Sequence, residues 1–324
     1  MYKLLGVAAF IGVLAFSVLP ANAAGPTPAS QAGRPLGIVP VHNQAKPGGS
    51  GGNLLYHSGG AVQTGTHHTY AIYWGNASTF PDSNYQSLIN GYFTDVAKDS
   101  GKTSNVYFSD TQYYQTINGV TTPITYSESF SGTWADTSNP ASSGCNSAAG
   151  GSVACVSDGQ IRQEVQKALT SNPTWADGQG SEFFVFLGKG ISTCSGSSCF
   201  VSQFCAYHGS FTDGAGHTAL YANMPYTGYS LAACGSGQYP NADSAADSTI
   251  NVTSHEANET VTDYFGNAWF DRRGYENGDK CAWIFGSAIA NNGAGSYNQV
   301  INGHDYYMQG EWSNHSSGCV WSGT

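Results

Sequence analysis

No stretch constrains this chain more than Ser254–Cys281, SHEANETVTDYFGNAWFDRRGYENGDKC. Wound as a helix, its opening His255-Glu256-Ala257-Asn258-Glu259 sets His255 and Glu259 at i and i+4, one turn apart on one face. Asp263 continues that row. Ile250, Ala257 and Val261 fall roughly opposite and give the helix an apolar back. The spacing predicts a helix covering His255–Asp263 that begins near Asp247 or Ser248, both suitable N-caps. With one side buried and a His and two Glu on the other, it suits the wall of a cleft.

The residue types point to metal-assisted hydrolysis. HExxE is a variant of the HExxH helix of zinc peptidases, whose imidazole and carboxylate ligands leave one position open for water. His255 and Glu259 supply two ligands, and Glu276, from the acidic cluster Glu276-Asn277-Gly278-Asp279, returns as the third. Asp279 is expected to orient the ligands or to replace one of them. Glu256 lies beside the ligand row, where a general base reaches water without binding the ion. Zinc is the expected ion, with a protein or peptide as substrate. The rival reading is a structural calcium, which prefers oxygen ligands. Short motifs of this kind also arise on ordinary polar helix faces.

Upstream, Lys3, the apolar run Leu4–Leu19 and the A-x-A pattern ending at Ala23 read as a secretory signal peptide over residues 1–23. Residues 24–52, rich in Gly, Pro, Ala and Ser, read as a flexible leader or pro-segment. The ~270 residues from 53 to 324 suffice for one large domain. Eight cysteines lie beyond the signal peptide and fit an oxidising, extracellular compartment with up to four disulfides. Cys145–Cys155 and Cys281–Cys319 are the expected bridges, and the pairing among Cys194, Cys199, Cys205 and Cys234 stays open. With 10% charged residues and a net charge of −10, the chain is a poor partner for nucleic acid or an anionic membrane.

Thr69–Trp74, Glu182–Leu187 and Thr218–Met224 read as strands, the last expected nearest the cleft. Tyr85, Leu88, Ile89, Tyr92, Phe93 and Val96 mark a helix begun by Pro81-Asp82, and Asp158 is the expected cap of another. This order gives one zincin-like α+β domain with a mixed sheet, a ligand-bearing helix and several disulfides, by analogy of architecture.

Three stretches together resemble the EXORDIUM/phosphate-induced family of secreted proteins. SHEANETVTDYFGNAWFD…YENGDKC is similar to that family's HELAE…NP…NAWY…EIGDLC region. Leu55-Tyr56-His57-Ser58-Gly59-Gly60 followed by Tyr70–Gly75 resembles its YHxG…WYG opening. Phe204-Cys205-Ala206-Tyr207-His208-Gly209 resembles its CGFHG segment. Asp263, Tyr264 and Asn277 depart from the family's Asn, Pro and Ile, and no proposed ligand is lost. The resemblance implies a secreted protein of the kind associated with the cell wall, with a wall or matrix polymer as a further partner. It also singles out His208 as a catalytic residue, either an extra ligand or an oxyanion donor.

The remaining histidines are read more plainly. His67 and His68 are expected at the surface, His57 in a structural role, and His304, Tyr306 and Tyr307 as oxyanion donors or an aromatic cluster. Among the N-x-S/T sequons, those at Asn251 and Asn258 fall in the proposed helix and are read as fortuitous. A serine hydrolase is weakly supported, because Gly196-Ser197-Ser198 is ordinary loop composition. A glycosidase using Glu256 or Glu259 with Glu276 leaves His255 without a task. A non-catalytic wall or matrix protein with a structural ion is the principal alternative.

Overall fold

The computed structural model describes residues 35–47, 51–140, 144–145 and 152–324. The expected signal peptide and the first part of the leader lie outside the described residues. Six strands make the principal sheet: β1 (Pro35–Pro40), β2 (His67–Trp74), β3 (Glu128–Asp136), β4 (Ser181–Leu187), β5 (Phe204–Thr212) and β6 (Thr218–Met224). Their order is β1-β5-β6-β4-β2-β3. β3, β2, β4 and β6 run parallel, whereas β5 pairs antiparallel with β6 and β1 antiparallel with β5. The central strands β2 and β4 are buried along almost their whole length. Near-continuous apolar runs such as Tyr70–Trp74 and Phe183–Leu187 are what a sheet covered on both faces demands.

Three helices supply that cover. In α1 (Ser83–Lys98), Asp82 caps the Tyr85 N–H at 3.0 Å, and Tyr85, Ile89, Tyr92, Phe93 and Val96 turn inward, as the periodicity predicts. Helix α2 (Asp158–Ser171) is capped by Ser157 rather than Asp158, which instead accepts from the Tyr207 hydroxyl at 3.1 Å. Successive strand residues face opposite ways, so Tyr207 on α2 and His208 on α3 place those helices on opposite faces of β5. The third helix, α3 (Ser244–Asp263), contains the HExxE segment and is longer at its N-terminus than the sequence suggested. Its cap is Asp243, whose carboxylate takes the Ala245 and Ala246 N–H groups at 3.1 and 2.9 Å. Asp247, an expected cap, lies inside the first turn and holds Asn241 instead.

Two expectations need correction. α3 is not amphipathic in its setting: every residue from Ala245 to Asp263 is buried. The sheet lies beneath it and α1 beside it, where Tyr85 donates to Thr249 at 3.0 Å. Irregular chain from Cys281 onward closes the remaining side, with Val261 packed among Trp269, Cys281 and Trp312. Part of residues 24–52, read as a flexible leader or pro-segment, is also not flexible chain. Gly37, Val39 and Val41 alternate inward, a β-pattern hidden inside a Gly/Pro-rich composition. The Val41 N–H reaches the Gln203 carbonyl at 3.2 Å, and the His42 ring stacks 4.0 Å from Trp283. Residues 35–47 therefore belong to the fold.

Four disulfides staple the chain: Cys145–Cys155, Cys194–Cys199, Cys205–Cys234 and Cys281–Cys319. The last ties the segment carrying Glu276 and Asp279 to the C-terminal strands. Among the described residues no helix is long and apolar enough to cross a membrane. The four bridges suit an oxidising, extracellular compartment.

Candidate metal centre

Glu259 lies between two histidines. Its Oε1 is 2.9 Å from His255 Nε2, and its Oε2 is 3.7 Å from His208 Nδ1. Asp279 approaches the first side, with Oδ1 3.9 Å from His255 Nε2, while its N–H donates to Glu259 Oε1 at 2.9 Å. Glu256 takes the second side, with Oε2 3.1 Å from His208 Nδ1. Two overlapping groups result, His255–Glu259–Asp279 and His208–Glu256–Glu259, each with donor atoms within 4.8 Å of one another.

Each element has a local reason for its place. The i, i+4 spacing aligns His255 and Glu259 on one face of α3. Single-turn helix α4 (Asn277–Lys280) swings Asp279 round toward His255, and its Gly278 allows the approach. A Cβ there would stand 2.9 Å from the His255 ring. Gln309 sets the ring's orientation: its Nε2 lies 2.9 Å from His255 Nδ1 and donates to the Gly278 carbonyl at 3.0 Å. β5 delivers His208 from the sheet, so β5 rather than β6 is the strand that meets this group beside the helix. Nothing in the sequence spacing marks Gln309.

The expected ligand triad is redrawn by these positions. Glu276 is absent from both groups: it sits at the N-cap of α4, its own N–H turned to Asp279 Oδ2 at 3.3 Å. Asp279, expected as an orienting or alternative ligand, is the carboxylate of this pair that stands beside His255. Asp263 ends the row without joining the cluster, because its Oδ1 accepts the Asn267 and Ala268 N–H groups, both at 2.6 Å. His208 stands against the Glu256 carboxylate, where it can hold or exchange a proton with that group.

Charge is strongly unbalanced here. His208, His255, Glu256 and Glu259 are at most 1% exposed, and Asp279 retains a 14% exposed side chain. Burial, with the neighbouring Glu259 charge, pushes the Glu256, Asp279 and Glu276 carboxyls well above the usual range. Burial raises Glu259 most, but His255, His208 and the Asp279 N–H together outweigh it and hold the group below its ordinary value. Burial opposes protonation of His255, yet Glu259 and then Asp279 raise it overall. His208 is driven down to about 4 by burial and stands neutral at neutral pH.

Several buried atoms in this cluster lack a hydrogen-bond partner: His255 Nε2, His208 Nε2, Glu256 Oε1 and Glu259 Oε2. The His255–Glu259 contact is close enough for an ion pair but lacks hydrogen-bond alignment. Buried polar atoms left unpaired are costly. Imidazole nitrogens and carboxylate oxygens converging in a buried, carboxylate-rich site form a group able to hold a metal ion.

Other expectations divide. His67 is not a surface residue: it is 1% exposed between Glu128 (2.9 Å) and Glu182 (3.2 Å), and those carboxylates outweigh burial to raise it to about 10. Glu182 in turn accepts from Thr260 of α3 at 2.8 Å, so this network braces the site helix from the sheet. His57 stacks on Phe270, a structural role as expected. His304 and Tyr306 both bond Asp95, which makes GHDYY a packing and hydrogen-bonding cluster. Asn251 and Asn258 are fully buried, so neither sequon is open to a glycan. The chain matches no protein-family model, no curated protein and no solved structure.

Proposed function

We propose that this protein is a secreted metal-dependent hydrolase, most simply a zinc peptidase of zincin-like architecture. One observation carries the reading: Glu259 is shared between His255 and Asp279 on one side and His208 and Glu256 on the other, amid unpartnered buried donors. His255, Glu259 and Asp279 would hold the ion. Such an ion supplies Lewis acidity, polarising a carbonyl and making water a nucleophile near neutral pH.

The chain's own residues do the rest. Glu256, raised by burial, takes the proton of the attacking water and returns it to the leaving amine. His208 sits on Glu256 Oε2 and fixes that carboxylate while neutral. Gln309 keeps the His255 ring in register with Glu259. Membership of the EXORDIUM family is part of the same proposal. Its three resembling stretches come together here: Leu55–Tyr56 pairs with Trp269–Phe270, and Phe204–Gly209 lies beneath α3.

The test combines metal analysis with mutation. Purified protein, before any added zinc, should carry about one equivalent of a transition ion, and chelation should abolish peptide hydrolysis. Glu256→Gln should retain the ion and the fold while cutting turnover by about 10²–10⁴, the scale of a lost general base. His255→Ala should lose the ion as well. Full activity in Glu256→Gln, or no cleavage of any peptide library by ion-loaded protein, sinks catalysis. A second reading rests on the near-complete burial of the cluster, which also suits a structural ion in a wall or matrix protein. An ion that raises thermal stability without any turnover selects that reading.

A further inference from the structure

β1 lies across the centre and restricts access to it. β1 is the edge strand next to β5, with Ile38 opposite Tyr207 and Val39 opposite Ala206. Its Gly37 backbone comes so close to the cluster that an added Cβ would overlap both Glu259 Oε2 and the His208 ring. The Val39 N–H is one of the groups facing the Glu256 carboxylate. A peptide backbone of this chain thus stands where a peptide substrate would have to stand, against the same three side chains.

The strand sits at the sheet's edge and its pairing is short and irregular. It is six residues long, begins and ends with Pro, and its pairing with β5 is irregular at both ends. Proline donates no N–H to a ladder. None of the four disulfides includes it. Alongside runs a groove of about 400 Å³ lined by Leu36, Ile38, Pro40, Tyr275 and Asp279 among others. Asp279 therefore faces both this groove and the buried cluster, and β1 is the wall between them.

We propose that the outer edge of β5 is a binding site for an extended peptide, added antiparallel as a sheet strand, and that residues 35–40 occupy it as the chain's own stand-in. The proposal rests on the hydrolase reading for its consequence but not for its binding step. Strand addition draws affinity from main-chain hydrogen bonds and specificity from alternate side-chain positions. The peptide accepted is extended and apolar, with glycine at the point nearest Glu259 and His208 and a β-branched residue two positions on, as in Gly37 and Val39. A tethered strand competes at millimolar effective concentration, so the intact chain binds and cleaves peptide only weakly rather than not at all.

Gly37→Leu in the full chain is the direct test, since the new side chain has no room beside Glu259. The probe is a labelled Pro-Leu-Gly-Ile-Val-Pro peptide. The variant should bind it at least ~10-fold more tightly than the native chain, because the site is no longer pre-occupied. Hydrogen exchange should speed at residues 35–40 and at the β5 edge, and the peptide should restore protection to β5 alone. Helix α3 should stay protected throughout. Persistent protection of residues 35–40 with no peptide binding overturns the proposal, as does equal binding by the native chain. Should the variant not fold, a site-specific protease sequence placed at residues 46–52 of the native chain allows cleavage after folding. Exchange of the cut segment for labelled peptide supports the proposal, and its retention against excess peptide overturns it. Peptide binding without hydrolysis keeps this inference and removes the hydrolase. Hydrolysis by the native chain that Gly37→Leu does not increase removes the inference and keeps the hydrolase.

Discussion

His67 is where single-residue energetics bear most heavily on the site without touching it. Its two ring nitrogens face Glu128 and Glu182, and Glu182 holds Thr260 on the turn of α3 after Glu259. Removing one member of a buried ion pair leaves an unpaired charge and costs about 3–5 kcal/mol. His67→Gln is therefore expected to lower unfolding stability by that order, measured by urea denaturation. The double variant His67→Gln/Glu182→Gln should recover part of the loss, because the stranded carboxylate is then gone. A loss under about 1 kcal/mol would show the pair to be unimportant. Site substitutions should behave differently: burial already favours the neutral form of Glu256, so Glu256→Gln, of the same shape, should cost turnover and little stability.

At the scale of elements, α3 depends on its cap and on close packing. Asp243 satisfies two N–H groups of the first turn, and Asp243→Ala should cost about 1 kcal/mol. Ala257 is 1% exposed on the helix, and Ala257→Leu should cost about 1–3 kcal/mol through overpacking. Surface-helix behaviour, with neither change exceeding ~0.5 kcal/mol, would contradict the all-round burial. The helix itself was legible, because His255, Glu259, Ala257 and Val261 repeat at its period, and α1 was legible for the same reason. The cover over α3 was not. It is built from Gln309, Asn277 and Trp312, residues far apart in sequence whose spacing carries no period. β1 escaped notice because composition averages over the short alternation Gly37, Val39, Val41. That Asp279 rather than Glu276 lies near His255 was not legible, because a single turn of helix, too short to show periodicity, decides which carboxylate faces it. His67 looked like a surface residue because its partners Glu128 and Glu182 come from separate strands.

For the whole molecule, buried titratable groups set the direction of pH dependence. His67 is raised from 6.5 to about 10 by its two carboxylates. Its contribution is fully present below pH 6.5 and is lost as pH climbs toward 10. Glu164, raised from 4.5 to about 8 by burial and by Asp136, contributes below 4.5 and loses that contribution on the way to 8. Asp247, raised from 3.8 to about 6 by burial, acts in the same sense over a lower range. In each case the folded state binds more protons than the unfolded one, so stability falls as pH rises. Against them stand Asp82, Asp136 and Asp271. Each is held below its ordinary value, Asp82 chiefly by the Tyr85 N–H, and Asp136 and Asp271 by hydrogen bonds that outweigh their burial. They contribute above 3.8 and withdraw as pH drops further. The net charge of −10 adds self-repulsion that also grows as carboxylates ionise. In the presence of a chelator, so that ion binding does not enter, the urea midpoint should be highest near pH 5 and fall steadily to pH 9. His67→Gln should flatten the part of that slope between pH 6.5 and 9, because the group responsible for it is gone. A midpoint that rises from pH 5 to pH 9, or a slope unchanged in His67→Gln, contradicts this assignment of protons to the folded state.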